Sequence, residues 1–423
     1  MRNRSVVLVT SDRIIDRRIL LMADAIMATG WNVSIVAMPS PHMVGQEDDR
    51  VIRIGGRKSA LRVGGVAVYR WLRQFLFEGA ASSFRHLAAR FVEDPEKLFF
   101  NLYSGALSSM QASVFVAIDL PVLSVTRWAA ERAGAALIYD SHELYSEQEL
   151  SAWERRKWRQ IEEKHIGACD LIITVNESIA RELESRYSVG PVHVVYNAVR
   201  WKRESSRSPV FHDAFGLPPG SKIALYQGGL SPGRNLKALI QAFELVETQD
   251  LHLVFLGDGE MLGRLKATVD RHRLGCRVHF HPAVSQEVLL SYTTAADIGV
   301  IPYQPTCLNN QLCTPNKLFE YVAASLPIVS SDLPEIRRIV ETHDIGVLGD
   351  MSSPRAIAKF IDCALSSPDR LQRWRSNLES ARGILCWERE EAKISGLFET
   401  IGAVPGKDVP RTPQDRLLDP NHS

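Results

Sequence analysis

The sequence predicts an α/β chain of two doubly wound parallel-sheet domains. Short continuous apolar runs alternate with amphipathic stretches, the pattern of strands buried on both faces and joined by crossover helices. The alternation stops at a polar, proline-ended segment, KRESSRSP at 202–209, and then starts again. A length of 423 residues suits two or three domains, and 45% hydrophobic residues supply ordinary cores. Open α/β sheets gather ligands at the carboxyl ends of their strands, so the residues after each apolar run are the ones to read for function.

Composition narrows the class. Lys+Arg 50 against Asp+Glu 49 leaves a net charge of +1, which argues against a nucleic-acid partner. The six cysteines are scattered without a C-x-x-C pair, so neither a disulfide framework nor a metal site is expected, and a reducing cytoplasm fits. The apolar run near the N-terminus is too short for a signal peptide, and no stretch approaches the roughly 18–20 residues of a membrane span. The expectation is a cytoplasmic protein, soluble or peripheral.

In the first domain VVLVT (6–10) is a strand with Ser11-Asp12 as its turn. A helix over about 16–29 follows, with Ile19, Leu20, Ala23, Ile26 and Met27 on one face and Gly30 as its stop. NVSIVAM (32–38) is the next strand. This opening lacks G-x-G-x-x-G, which counts against a dehydrogenase. From Arg53 to Arg90, Arg57, Lys58, Arg62, Arg70, Arg73 and Arg85 add further positive charge, opposed by Glu78 alone. Val68, Trp71, Leu72, Phe75 and Leu76 fall on one helical face, with Arg70, Arg73 and Gln74 opposite. This insertion, about 53–92, either lies on an anionic membrane surface or packs on the protein's own core.

Strands resume with SVFVAID (113–119), then a helix over about 122–133 and AALIYD (135–140). The latter runs into Ser141-His142-Glu143-Leu144-Tyr145. His142 either faces a ligand at this strand end or serves as a helix-cap or core histidine. It is no zinc helix, because H-E-x-x-H would need histidine where Ser146 stands. Asp119, at a similar strand end, either faces a substrate or caps the helix beginning near Pro121. The stretch 151–168 reads as a surface helix with Trp153, Ile161 and Ile166 turned inward. LIITV (171–175), a helix over Glu177–Tyr187 and VHVVYN (192–197) end the domain, with the boundary near 200–210.

The second domain repeats the plan. KIALYQGG (222–229) is a strand running into Gly228-Gly229, followed by Arg234 and a helix carrying Leu236, Leu239, Ile240 and Phe243. Glycines let a ligand approach the backbone, a helix start offers N–H groups, and Arg234 can fork onto a diphosphate. LHLVFLGDGE (251–260), RVHFHP (277–282), DIGVIPY (297–303) and GVLGD (346–350) supply further strands, with helices over about 285–296, 353–366, 368–381 and 387–401. Residues 403–423 have no periodicity and read as a disordered tail.

Within 309–335, Thr314-Pro315 reads as an N-cap and first-turn proline, opening a helix with Leu318, Tyr321 and Val322 buried. Lys317 in that first turn opposes the helix dipole, at a cost of roughly 0.3–1 kcal/mol, unless an anion sits there. Glu320, one turn on, can accept hydrogen bonds from the paired hydroxyls of a ribose. The alternative is an amphipathic helix with a solvated Lys–Glu pair.

The TPNKLFEYVAASLP stretch resembles the donor-site helix of family 4 glycosyltransferases, and YDSHELY resembles an acceptor-domain segment of the same family. That resemblance implies the GT-B fold, two Rossmann-like domains facing across a cleft: 1–205 for the acceptor, 206–385 for the nucleotide-sugar, and a helix over 386–402 crossing back. It implies a retaining, metal-independent hexosyltransferase using a nucleotide-diphosphate sugar, with a saccharide or lipid-linked acceptor, in bacterial surface-polysaccharide biosynthesis. It also implies a peripheral place on the inner face of the plasma membrane. No cofactor beyond the donor is expected, and no D-x-D motif is present; the nearest approach is Asp258-Gly-Glu260.

By position, the resemblance assigns the diphosphate to Gly228, Gly229, Arg234 and Lys317, the ribose to Glu320, and the base to the loop of His281, Ala283 and Val284, with Asn316 a further donor-binding residue. His142, Arg234 and Lys317 become the catalytic set, with Ser11 and Asp119 on the acceptor side. The chain departs from the family at two points. Leu312 stands where a glutamate usually touches the donor sugar, and Gly229 where an arginine usually meets the phosphates. Ser325 also replaces a usual glycine. The departures at Leu312 and Gly229 keep open a catalytically silent nucleotide-sugar-binding subunit of an assembly complex, and the shared fold also allows an epimerase or hydrolase with the same donor domain.

Overall fold

The structure is a computed structural model that describes residues 4–40, 48–55, 94–200 and 208–403. The amphipathic stretch over 56–93, most of the 202–209 segment and the tail beyond 403 lie outside the described residues.

Two all-parallel sheets carry the fold. The first has the order β3 (Val51–Arg53), β2 (Asn32–Ala37), β1 (Ser5–Thr10), β4 (Val114–Ile118), β5 (Ala136–Ser141), β6 (Leu171–Thr174) and β7 (Val192–Val194). The second runs β10 (Val278–His281), β9 (Leu251–Leu256), β8 (Lys222–Gln227), β11 (Ile298–Ile301), β12 (Ile328–Ser331) and β13 (Gly346–Gly349). In each the chain winds outward from a central pair, β1/β4 or β8/β11. Strand order reverses there, which opens a crevice at the carboxyl ends. Registers are in step across these pairs: Leu8 lies opposite Ile35 and Val116, and Leu225 opposite Val254 and Gly299. The protein is thus two Rossmann-like domains facing across a cleft. Gly299 is required by packing, since a Cβ there would sit 2.4 Å from the Tyr321 ring. That ring's hydroxyl donates to the Leu225 carbonyl at 3.0 Å, seating the Asn316–Ala323 helix on the sheet.

The Trp387–Ala403 helix returns to the first sheet. Trp387, Ile394 and Phe398 join Val6, Ile19 and Met22 in one core, and Phe398 meets Trp31 edge-on at 6.2 Å. The Arg17–Ala28 helix is therefore covered on two sides, and its buried set differs from the one the spacing predicts. Arg18, Leu21, Met22 and Ala25 are buried beside Ile19, Ala23 and Ile26, whereas Met27 is 45% exposed. In the Ala152–Ile166 helix the buried tryptophan is Trp158, not Trp153. Trp153 stands about 140° around the helix from Trp158, at 100° per residue. Five α-helices among the described residues, Pro95–Leu107, Val210–Phe215, Leu262–Arg271, Leu308–Leu312 and Pro334–His343, were not read from the sequence. Two are only five or six residues long, whereas Pro334–His343 does carry a buried stripe at Ile336, Ile339 and Val340.

Candidate active site

The second domain offers its half of the site through glycine turns. Gly228, after β8, has a φ of 104°, and Gly257, after β9, one of 148°, both in the region that favours glycine. They stack backbone to backbone: a Cβ on Gly257 would lie 2.2 Å from the Gly228 carbonyl oxygen. A Cβ on Gly228 would come within 3.6 Å of Lys317 Nζ.

Lys317 lies in the first turn of the Asn316–Ala323 helix. That helix opens one residue later than the sequence suggests, with extended Pro315 as its cap. Thr314 does not cap it; its hydroxyl accepts a hydrogen bond from Asn176 Nδ2 at 3.0 Å, across the cleft. Ser325 closes the helix with a φ of 51°, a conformation that favours the glycine usual there. The Lys317 side chain is buried, donates to the Tyr303 hydroxyl at 2.7 Å, and stands 4.7 Å from the ring centres of Tyr226 and Tyr303. Arg234 lies over Tyr303 at 4.3 Å and reaches Asn310 Oδ1 at 3.5 Å. Burial alone would lower the Lys317 pKa, but Tyr226 and Tyr303 carry it above its ordinary value. Neither cation has a carboxylate at ion-pair distance among the described residues.

Glu320 accepts from Gln227 Nε2 at 2.6 Å, and Gln227 is held in turn by Thr293 Oγ1 at 2.8 Å. From the first domain Arg17 reaches within 3.5 Å of Glu320 and donates to Gln286 Oε1 at 2.9 Å.

The facing wall is built differently. Arg18, wholly buried, pairs with Asp140 Oδ1 at 2.9 Å and donates to the Val195 carbonyl at 2.6 Å. His142 Nε2 lies 2.9 Å from Asp140 Oδ2, and the His142 amide donates to Asp119 Oδ1 at 2.9 Å. Burial would lower the His142 pKa, but the Asp140 and Asp119 carboxylates raise it to about 9. Asp140 is pulled the other way: burial raises it, yet Arg18 and His142 hold it well below the usual carboxylate range. Burial, opposed by His142 and reinforced by Glu143 and Asp12, pushes Asp119 up to about 7.

Between the walls lies a cavity of about 660 Å³. It brings together His142, Gly228, Gly229, Arg234, Ala283, Val284, Asn316, Lys317 and Glu320. Three expected residues do not line it. The His281 ring turns to the helix-covered face of its edge strand, 5.0 Å from Tyr292 and 6.2 Å from Phe211. Ser11 is buried, and Asp119 sits behind His142 without capping the helix that follows it. Residues the sequence pattern did not single out also line it: Glu143, Gln227, Tyr303, Asn309 and Asn310. All lay beside signals the sequence showed: Glu143 inside the SHELY run, Gln227 before the Gly228-Gly229 turn, Tyr303 at the end of DIGVIPY, and Asn309 and Asn310 at the start of the 309–335 stretch. Leu312 packs on the first domain's core instead of facing the cavity, and its carbonyl accepts from Asn176 Nδ2 at 2.8 Å. Among the described residues no group of three His, Cys, Asp or Glu side chains is placed to hold a metal ion.

Two Rossmann-like sheets sharing a polar cleft place the molecule in the GT-B class. Residues 15–198 match the glycosyl transferase 4-like domain, and residues 208–380 match glycosyl transferases group 1. The chain belongs to the family 4-like glycosyltransferases. It is 26% identical over 216 residues to TuaH of Bacillus subtilis (strain 168), provisionally named a teichuronic acid biosynthesis glycosyltransferase. That match covers 49% of this chain and 53% of TuaH, about half the length of the relative. Sucrose-phosphate synthase from Thermosynechococcus elongatus superposes with a TM-score of 0.67 at 16% identity, covering 95% of this chain and 99% of that one. Anabaena Alr3699/HepE in complex with UDP and glucose gives 0.68 at 14%, covering 95% and 100%. At these identities the likeness is one of fold.

Proposed function

We propose that the protein transfers a hexose from a nucleotide-diphosphate sugar, held on the second domain, to a saccharide or lipid-linked acceptor on the first. What carries the reading is a pair of cations in the cleft, buried Lys317 and half-buried Arg234, without a carboxylate at ion-pair distance among the described residues. Lys317 and Arg234 sit in a cleft beside a glycine turn and a helix start with only hydroxyl, amide and ring partners. A buried charge without a counter-ion is costly, and a diphosphate would supply the missing anion. The same groups then stabilise the charge that develops as the diphosphate departs, with no metal required of the protein. Glu320, oriented by Gln227, is the acceptor for ribose hydroxyls.

In the proposed step the acceptor oxygen bonds to the anomeric carbon as the bond from that carbon to the phosphate oxygen breaks. The acceptor proton passes to the departing phosphate oxygen, on the same face, so configuration is retained. His142, held by Asp140, presents its ring to the transferred sugar. TuaH and the UDP complex of Alr3699/HepE favour a surface-polysaccharide acceptor and make UDP the first nucleotide to try.

Calorimetry with UDP, GDP and ADP tests the reading. One nucleotide should bind to the wild type, and Lys317→Met or Arg234→Met should weaken it strongly while leaving the fold intact. Equal affinity in the variants would remove the site assignment. Binding without turnover on any acceptor would favour a silent subunit, and sugar release without an acceptor a hydrolase. The basic stretch around Arg70 and Arg73 suggests contact with an anionic membrane bearing a lipid-linked acceptor. Flotation with anionic vesicles should bring the protein up, and less so once both arginines are neutralised.

A further inference from the structure

Glu143 lies on the cavity wall, yet the reaction proposed above leaves it without a task. Its Oε2 accepts a hydrogen bond from Asn309 Nδ2 at 3.0 Å, and its Oε1 accepts one from Gln148 Nε2. Asn309 Oδ1 accepts from the Leu144 amide at 3.0 Å, so this amide is fully oriented and clamps the carboxylate from across the cleft. Arg234 is near enough to act on the charge of Glu143.

These contacts order the cavity. Glu320 and Gln227 mark one end, Lys317, Gly228 and Arg234 the middle, and His142, Glu143, Asn309 and Asn310 the region beyond Arg234. A diphosphate seated on the two cations with its ribose at Glu320 points its other substituent, the sugar, toward Glu143. Sugar hydroxyls need acceptors there, and most are already taken. Asn309 Oδ1 serves Leu144, and Asn310 Oδ1 faces Arg234. The other acids on the wall are engaged elsewhere: Asp16 caps the helix at Arg18, Asp258 accepts from the Ala283 amide, and Glu320 belongs to the ribose end. Each Glu143 oxygen has one such partner and keeps a second lone pair for a ligand.

We infer that Glu143 recognises the donor sugar by accepting hydrogen bonds from its hydroxyls, an assignment that rests on the nucleotide-sugar reading above. The sugar would then be read by the first domain and the phosphates by the second, so that donor recognition requires the cleft to be closed through Asn309. Burial raises the Glu143 pKa despite Asn309 and the nearby cations. Hydrogen bonds from sugar hydroxyls relieve that burden.

The test compares two affinities in one protein. Calorimetry measures UDP, GDP and ADP first, and then the glucose, galactose and N-acetylglucosamine conjugates of whichever nucleotide binds. Glu143→Gln should weaken the preferred conjugate about tenfold, the loss expected for a charge-assisted hydrogen bond, while nucleotide affinity changes less than about twofold. Glu143→Asp, which keeps the charge, should recover part of the difference. Equal weakening of nucleotide and conjugate would mean that Glu143 only shapes the cleft, and no weakening of either would mean it touches nothing; both overturn the inference. A wild type that binds no nucleotide at all would fail at the earlier step, taking the donor-site reading down and this assignment with it.

Discussion

The two walls of the cleft handle buried charge in opposite ways. On the first domain Arg18, Asp140 and His142 form a closed set, each charge answered by another within 3.4 Å. On the second domain Lys317 is buried and Arg234 half-buried, and among the described residues no carboxylate lies at ion-pair distance from either; their direct contacts are hydroxyl, amide and aromatic groups. A closed set holds a shape, and an open one holds a place for a ligand. The contrast separates residues that position the site from residues that bind in it.

The largest effect should come from breaking the closed set. Asp140→Asn leaves the wholly buried Arg18 without its anion and half-buried His142 with Asp119 alone, and should cost about 3–5 kcal/mol of unfolding free energy by denaturant titration. A loss below about 1 kcal/mol would mean that water reaches this wall. Opening the other wall should do the reverse. Lys317→Met removes an unanswered charge, so unliganded stability should hold or rise while nucleotide affinity falls about 100-fold, as truncating one side of a buried charged contact does. Destabilisation of the unliganded protein would show that Lys317 is structural.

His142 sharpens the comparison through pH. Its folded pKa of about 9 lies above the ordinary 6.5, so its stabilisation is fully present below about pH 6.5 and is lost as pH rises through 9. Unfolding free energy should fall between these values in the wild type and less steeply in His142→Gln. Parallel curves would place His142 outside the set. The smallest effect is expected at Glu320, whose one ion-pair contact among the described residues is Arg17 at 3.5 Å at the partly exposed cleft edge. Glu320→Gln should leave stability within about 0.5 kcal/mol and weaken nucleotide binding a few-fold.

Much of the cleft was legible along the chain. Gly228, Gly229, Arg234, Lys317 and Glu320 follow strands whose apolar runs are plain, and strand ends in an open α/β sheet converge by topology. His142 was legible for the same reason. Arg18 was not, because an arginine beside Arg17 at the start of an amphipathic helix reads as exposed, and its partner Asp140 lies 122 residues away. Nor was the turning of Leu312 away from the cavity, which depends on a first-domain surface that only docking supplies.

Local pattern, then, determined every strand of the two sheets except the short edge strand Val51–Arg53, together with their parallel winding, the split into two domains and the glycine turns, because these follow from side-chain periodicity and backbone freedom over a few residues. Tertiary structure alone decided which charges are answered. It joined Asn309 to Glu143 across 166 positions, buried Arg18 beneath His142, and left Lys317 with Tyr303 for company. Electrostatic pairing acts through space at a few ångströms in a medium of low polarity, and sequence separation carries no record of that distance.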